Sequence, residues 1–219
     1  MNFDKAQKAD VEWRDGVPVS VQFDDPYFSL ADGLAESRHV FLAGNNLPER
    51  FVEGFHIAEL GFGTGLNLLM AWQTRTLPTP LRYTSFEAYP MELDQITTAL
   101  SNWPELARVA EPLLAAEGRS FHTDTLIFDL IEGDVRETLP MWQGRADAWF
   151  LDGFSPARNP EMWEVDLLQQ VADHTSPGGT FATYSAAGHV RRGLEAAGFE
   201  VERTKGFKHK RHMCRGRLL

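Results

Sequence analysis

The segment ELGFGTGLN, residues 59–67, sets Glu59, Gly61, Gly63 and Gly65 on alternate positions between an apolar run and a helical pattern. Glycines there let the backbone take angles, and approach a ligand to distances, that a Cβ would prevent. The dinucleotide fingerprint G-x-G-x-x-G, counted from Gly61, would need glycine where Leu66 stands, and a P-loop would need Gly-Lys-Ser/Thr. Neither phosphate-cradling pattern fits. Three acids then follow at the ends of apolar runs. Glu87, in SFEAYP, lies 22 residues after Gly65. A carboxylate placed so can accept two hydrogen bonds from a ribose diol. Asp134, in EGDVRE, and Asp152, in AWFLDGF, end the next two runs. Asp and Glu also cap helices, so each acid has that second reading, as the glycine loop has the reading of a plain turn.

These residues act together only if strand ends lie side by side. Residue 55 begins such an alternation. Strands are predicted at 55–60, 81–88, within 124–134, at 146–152, 180–185, 199–207 and 211–219, the last two as an antiparallel pair. Helices are predicted between them at 65–75, 91–103, about 104–117, 135–142, 160–175 and 187–198, with Pro160 favoured in a first turn and Gly198 as a stop. PGG at 177–179 reads as a turn. The fold class is therefore α/β, a doubly wound, mostly parallel, seven-stranded Rossmann-like sheet, which binds ligands beyond the carboxyl ends of its strands. Residues 1–54 form a smaller N-terminal extension with short strands at 11–14 and 17–22 and a helix near 31–42. Residues 55–219 are the main domain.

The chain has 219 residues, 43% of them apolar and 24% charged, which suits a soluble domain with a full core. Cys214 is the only cysteine, so no intrachain disulfide is possible and a reducing, cytoplasmic setting is expected. The start, MNFDKAQKADVEW, lacks the apolar stretch of a signal peptide. No apolar run approaches the roughly 20 residues of a membrane span. His209 and His212 stand three apart without an acid or thiol partner, so no metal is expected. The net charge of −10 is unevenly spread: 31 acids and 14 Lys and Arg fall in 1–202, whereas 203–219 carries 7 Lys and Arg and no acid. Such a stripe can hold phosphates on an acidic protein, or be a solvated tail. Lys205, Lys208, Lys210 and Arg211 are the candidate nucleic-acid contacts.

The spacing E-x-G-x-G-x-G resembles the first motif of class I S-adenosylmethionine-dependent methyltransferases. ELGFGTGLN, DAWFLDGFSPARNPEMW, PGGTFATYSAAGHVRRGLEAAGF and KGFKHKRHM together resemble the methyltransferase domain of the bifunctional enzymes that modify the tRNA wobble uridine. FDDPYFSLADGLAESRHVFLAGNNLPERF is similar to that domain's N-terminal segment, so the resemblance covers nearly the whole chain. It implies S-adenosylmethionine as cofactor, with Glu59, Gly61, Gly63, Gly65, Asn67, Glu87, Asp134, Asp152 and Tyr27 around it. It implies a catalytic Asp152 and Phe154 on the acceptor side, and an extension that covers the site. It implies N-methylation of 5-aminomethyl-(2-thio)uridine in a tRNA anticodon loop. The family's other domain is an FAD-dependent oxidase. The chain ends at Leu219 without room for it, so a stand-alone methyltransferase or an excised domain is expected, with an oxidase acting on the same nucleotide as a further partner. Three other readings compete: methylation of a small-molecule amine, a Rossmann-type oxidoreductase, and a non-catalytic α/β binding module.

Overall fold

The structure is a computed structural model and describes residues 7–29 and 32–219. β1 (Val11–Arg14), β2 (Val17–Ser20) and β3 (Asp25–Pro26) form a small antiparallel sheet in that order. The second strand stops two residues before its expected end, and the two-residue β3 carries no alternation that a sequence could show. α1 (Gly33–Ser37) starts on Asp32, whose carboxylate accepts from the Ala35 N–H at 3.0 Å. It runs on as a π turn over Arg38–Leu42 and a 3-10 turn over Ala43–Asn45. Of the helix expected near 31–42, residue 31 lies outside the described residues, as do residues 1–6 of the start. The helical run ends at Asn46 in the left-handed conformation. Asn45, fully buried, donates to the Phe41 and Trp149 carbonyls and fastens this end to the large sheet.

The main domain follows as β4 (His56–Leu60), α2 (Leu66–Thr74), β5 (Leu81–Glu87), α3 (Leu93–Leu100), α4 (Ala107–Ala115), β6 (Phe121–His122), β7 (Leu126–Glu132), α5 (Val135–Thr138), β8 (Ala146–Leu151), α6 (Val165–Asp173), β9 (Thr175–Thr183), α7 (Gly188–Ala196), β10 (Phe199–Lys205) and β11 (His212–Leu218). The sheet has eight strands in the order β10-β11-β9-β8-β4-β5-β7-β6. The strand beyond the expected seven is β6, two residues paired antiparallel to the edge of β7. β4 pairs in parallel with both β5 and β8. The chain leaves β4 in one direction through β5 and β7, then returns to build the other half from β8. That reversal opens a crevice above the C-terminal ends of β4 and β8.

β8 explains why its segment is so apolar. Phe150 packs on Phe41 and Tyr83 on one face, while Trp149 packs on Phe86 and Trp142 on the other. Both rings are fully buried. A strand covered on both sides has no polar face to alternate. Burying each such ring is worth about 2–3 kcal/mol.

Two further differences from the sequence reading lie around β8 and β9. The helix expected at 160–175 is a 3-10 turn over Pro160–Trp163 followed by α6, because Glu164 adopts extended angles between them. Trp163 is buried there and its indole N–H donates to the Phe154 carbonyl at 2.8 Å. The turn expected at PGG lies inside β9, which begins at Thr175. The register between β8 and β9 shifts between Ala146 and Ala148, and Gly178 takes φ +71°. The segment is thus an irregularity within a strand that glycine can absorb. Among the described residues, no helix is long and apolar enough to cross a membrane.

Candidate active site

The crevice above β4 and β8 is a cleft of about 460 Å³, within the usual range of small-molecule sites. The loop after β4 forms its floor. Gly61 has φ +88° and donates its N–H to the Phe86 carbonyl at 2.9 Å. A Cβ there would stand 2.7 Å from the carbonyl oxygen of Asp152, so the β4 and β8 ends can lie together only with glycine at this position. Tyr27 lies over Gly63, whose Cβ would come 3.1 Å from the ring.

Four of the acids named from sequence have distinct settings. Glu87, at the end of β5, accepts from the Gly63 N–H at 3.0 Å on one oxygen and from the Tyr89 N–H at 2.9 Å on the other. Burial pushes its carboxyl up, and these backbone bonds oppose the shift. Asp134 faces the cleft and also caps α5, accepting from the Arg136 N–H at 2.9 Å. The Arg136 guanidinium, 2.6 Å from Oδ2, holds the Asp134 carboxyl below the usual carboxylate range. Glu59 is fully buried and lies behind the cleft wall. Asp152 faces the cleft from the end of β8.

Asn67 joins the last two. Its Nδ2 donates to Glu59 Oε1 at 2.9 Å and to Asp152 Oδ2 at 2.6 Å, while its oxygen accepts from the Ser37 hydroxyl. Ser85 donates to the other oxygen of Glu59 at 2.8 Å. Burial pushes the Glu59 carboxyl from its ordinary 4.5 up to about 8, against the bonds from Asn67 and Ser85. Burial also raises Asp152 well above the usual range, and the nearby Glu59 adds to it, while Asn67 opposes. A raised folded-state value has a definite sign. The stabilising contribution of Glu59 is complete below about 4.5 and is lost as pH rises through about 8. The ligand-free protein should lose stability across that window, by at most about 1.4 kcal/mol per pH unit from this group. Melting curves from about pH 6 to about pH 8.5 should show the loss, and Glu59→Gln should flatten it. An equal slope in the variant would assign the effect elsewhere.

The far wall is aromatic. Phe154 packs 4.8 Å from Phe23 and 5.1 Å from Tyr27, ring centre to ring centre. Phe28 also lines the cleft and packs against Trp103 at 4.7 Å. Asp25 accepts the Ser155 N–H at 2.7 Å, tying β3 to the loop after β8. The structure thus brings Tyr27, Gly61, Gly63, Asn67, Glu87, Asp134, Asp152, Phe154 and Lys210 into one cleft. Gly65 does not line it. Gly65 begins α2 with φ +77°, and a Cβ there would meet Leu113 and Phe62 at 2.9 Å. Lys205, Lys208 and Arg211 are exposed and, unlike their neighbour Lys210, do not line the cleft. Sequence reasoning missed Asp25, Glu36, Arg136 and Tyr184. Tyr184 directly follows β9, so the strand-end rule that found the acids would have found it too.

Asp25, Glu36, Glu87, Asp134, Asp152 and Glu161 line the cleft, against Arg136 and Lys210. This excess of acids favours a cationic ligand over a pyrophosphate. Among the described residues, no group of three His, Cys, Asp or Glu could hold a metal.

A mostly parallel sheet with a crevice at its switch point, a glycine loop at the first strand end and acids at the next ones define a class I methyltransferase fold. A family model described as S-adenosyl-L-methionine-dependent methyltransferase matches residues 96–218, more than half of the chain. The chain belongs to this family of S-adenosylmethionine-dependent enzymes. It is 46% identical over 96% of its length to the tRNA 5-methylaminomethyl-2-thiouridine biosynthesis bifunctional protein MnmC of Ectopseudomonas mendocina, covering 35% of that protein. It is 49% identical over 91% of its length to the protein of the same name from Caulobacter vibrioides, covering 36% of it. The chain thus spans about a third of the length of these curated relatives. The crystal structure of MnmC2 from Aquifex aeolicus superposes with a TM-score of 0.78 at 24% identity, covering 98% of this chain and 72% of that one.

Proposed function

We propose that the chain N-methylates the 5-aminomethyl group of (2-thio)uridine at the tRNA wobble position, giving the 5-methylaminomethyl form. The observation that carries this reading is Asp152, held by Asn67 beside the glycine loop and facing a cleft walled by Phe154. The similarity to the MnmC proteins supports the substrate class. S-adenosylmethionine supplies a methyl group on a cationic sulfur. Glu87 would take the ribose hydroxyls, and Gly61 and Gly63 would let the nucleoside lie on the backbone. Asp134 would serve the adenine edge while capping α5.

The acceptor amine must present a free lone pair to the methyl group, although an alkylamine of pKa about 10 is mostly protonated near neutrality. The apolar walls of Phe154 and Tyr27 disfavour the ammonium. Asp152, whose carboxyl burial raises, can in its carboxylate form take a proton from the amine or orient its N–H bonds. Holding the partners in line supplies much of the remaining rate. The acidic cleft repels phosphates, so the base must leave the anticodon stack and enter alone, which a loop allows at low cost. The proposed division of labour gives residues 1–54 the covering of the site and 55–219 the methyltransferase fold. A FAD-dependent oxidase acting on the same nucleotide is the proposed partner reaction.

The decisive assay offers the protein tRNA bearing 5-aminomethyluridine and reads nucleosides by mass spectrometry. A mass gain of one methyl on that nucleoside is expected. Methylation of small amines with none on RNA would move the reading to a small-molecule enzyme. Lys205, Lys208 and Arg211 are exposed on the segment that carries Lys210, which lines the cleft, so Lys205→Glu and Arg211→Glu should each weaken RNA binding and lower the salt slope by about 1. Unchanged slopes would make the stripe a solvated tail.

A further inference from the structure

Lys210 differs from the other residues of the basic loop. Its side chain turns into the cleft, where Nζ lies 2.8 Å from Glu36 Oε1 and 4.6 Å from the centre of the Tyr184 ring. Glu36, on α1, is only 9% exposed, and a carboxylate so placed is costly without a cation beside it. The aromatic face completes a cage of the kind that holds ammonium groups. Tyr184 is fixed in turn, since its hydroxyl donates to the Gly153 carbonyl at 2.7 Å, next to Asp152. Asp152 feels both charges: Glu36 raises its carboxyl and Lys210 lowers it. The protein therefore keeps a primary ammonium of its own beside the acid assigned to the acceptor. The loop that carries it is latched to α1 a second time, by Lys208 at 3.9 Å from Asp32. Both latches are ion pairs, and these are weakened by a competing polyanion.

We propose that Glu36 and the face of Tyr184 are the binding site for the acceptor's primary ammonium, that Lys210 fills this site until an acceptor arrives, and that phosphates of the nucleic acid draw Lys210 out. This rests on the reading of the acceptor as an amine. One ammonium replaces another, so the buried charge stays paired throughout the exchange. A uridine without the aminomethyl group brings no cation and would leave Glu36 unpaired, which gives selectivity through a penalty as well as an attraction. Transfer of one ammonium proton to Asp152 in its carboxylate form, as the amine leaves Glu36, then frees the nitrogen lone pair.

Two measurements on the full chain test this. In Lys210→Ala the cage lacks its ammonium, so propylammonium chloride should raise the melting temperature of this variant. It should not do so in wild type or in Glu36→Gln/Lys210→Ala, with sodium chloride as the ionic control. Equal shifts in all three proteins would overturn the ammonium site. In steady-state methylation of an anticodon stem-loop bearing 5-aminomethyluridine, Glu36→Gln should raise KM for the RNA by about tenfold or more. Its affinity for S-adenosylhomocysteine should stay within about twofold, and Glu36→Asp should recover part of the loss. An unchanged KM would overturn the acceptor role. If wild type methylates no RNA at all, the tRNA reading fails, and the propylammonium shift still decides whether the cage is an ammonium site.

Discussion

Asp152→Ala should lower single-turnover methyl transfer by about 10²–10⁴-fold while changing S-adenosylhomocysteine affinity by less than about tenfold. The asymmetry follows from where the side chain sits. Its carboxylate faces the cleft at the end of β8, on the side of Phe154, and its bond to Asn67 anchors it without occupying both oxygens. The acid proposed for the cofactor's ribose is a different residue, Glu87, on β5. Removing Asp152 should not unfold the protein. Burial and the neighbouring Glu59 disfavour its ionised form, so the folded state loses one hydrogen bond, to Asn67, and no stabilising charge. Asp152→Asn keeps the bond to Asn67 through its amide oxygen and separates orientation from proton transfer. Near-wild-type turnover in both variants would remove Asp152 from the chemistry.

The second large effect concerns two glycines that look alike in sequence. Gly61→Ala places a Cβ 2.7 Å from the backbone oxygen of Asp152 at φ +88°. The two strand ends must then separate, because neither atom belongs to a flexible side chain. Strain of about 1–3 kcal/mol is expected, together with a loss of S-adenosylhomocysteine affinity of about 100-fold or more. Gly65→Ala, at φ +77°, meets side chains rather than backbone, those of Leu113 and Phe62, and Gly65 itself does not line the cleft although Phe62 does. It should cost similar stability and leave affinity within about tenfold. Calorimetric titration alongside denaturant unfolding distinguishes them. Equal affinity losses would mean that the loop responds as one body.

The contrast shows what a sequence can carry. Glu87, Asp134 and Asp152 were legible because each ends an apolar run, and a parallel sheet aligns the ends of its strands. For Asp134 the two readings from sequence do not exclude each other, since one carboxylate caps α5 and faces the cleft. Glu59 was legible as a residue of the motif but not as a buried one, because depth behind a loop leaves no mark on spacing. Asp25, Phe23 and Glu36 were not legible at all. They reach the site through the docking of the N-terminal segment, a contact between positions more than 100 residues apart in the case of Asp25 and Ser155. The split of the 160–175 helix turned on a single residue, Glu164, whose extended angles no propensity would single out.

Asn67 has both of its donors' targets and its acceptor committed, to Glu59, Asp152 and Ser37. A side-chain amide used at both ends has one orientation and cannot rotate to suit a new ligand. It works as a spacer of fixed length between the middle of the sheet and the reacting end of the cleft. Asp152 is thereby tied to β4 through a residue of α2. If Asp152 serves the acceptor as proposed, its position is set from the buried centre of the sheet, through Glu59 and Asn67, and not by the loops that close around the cleft.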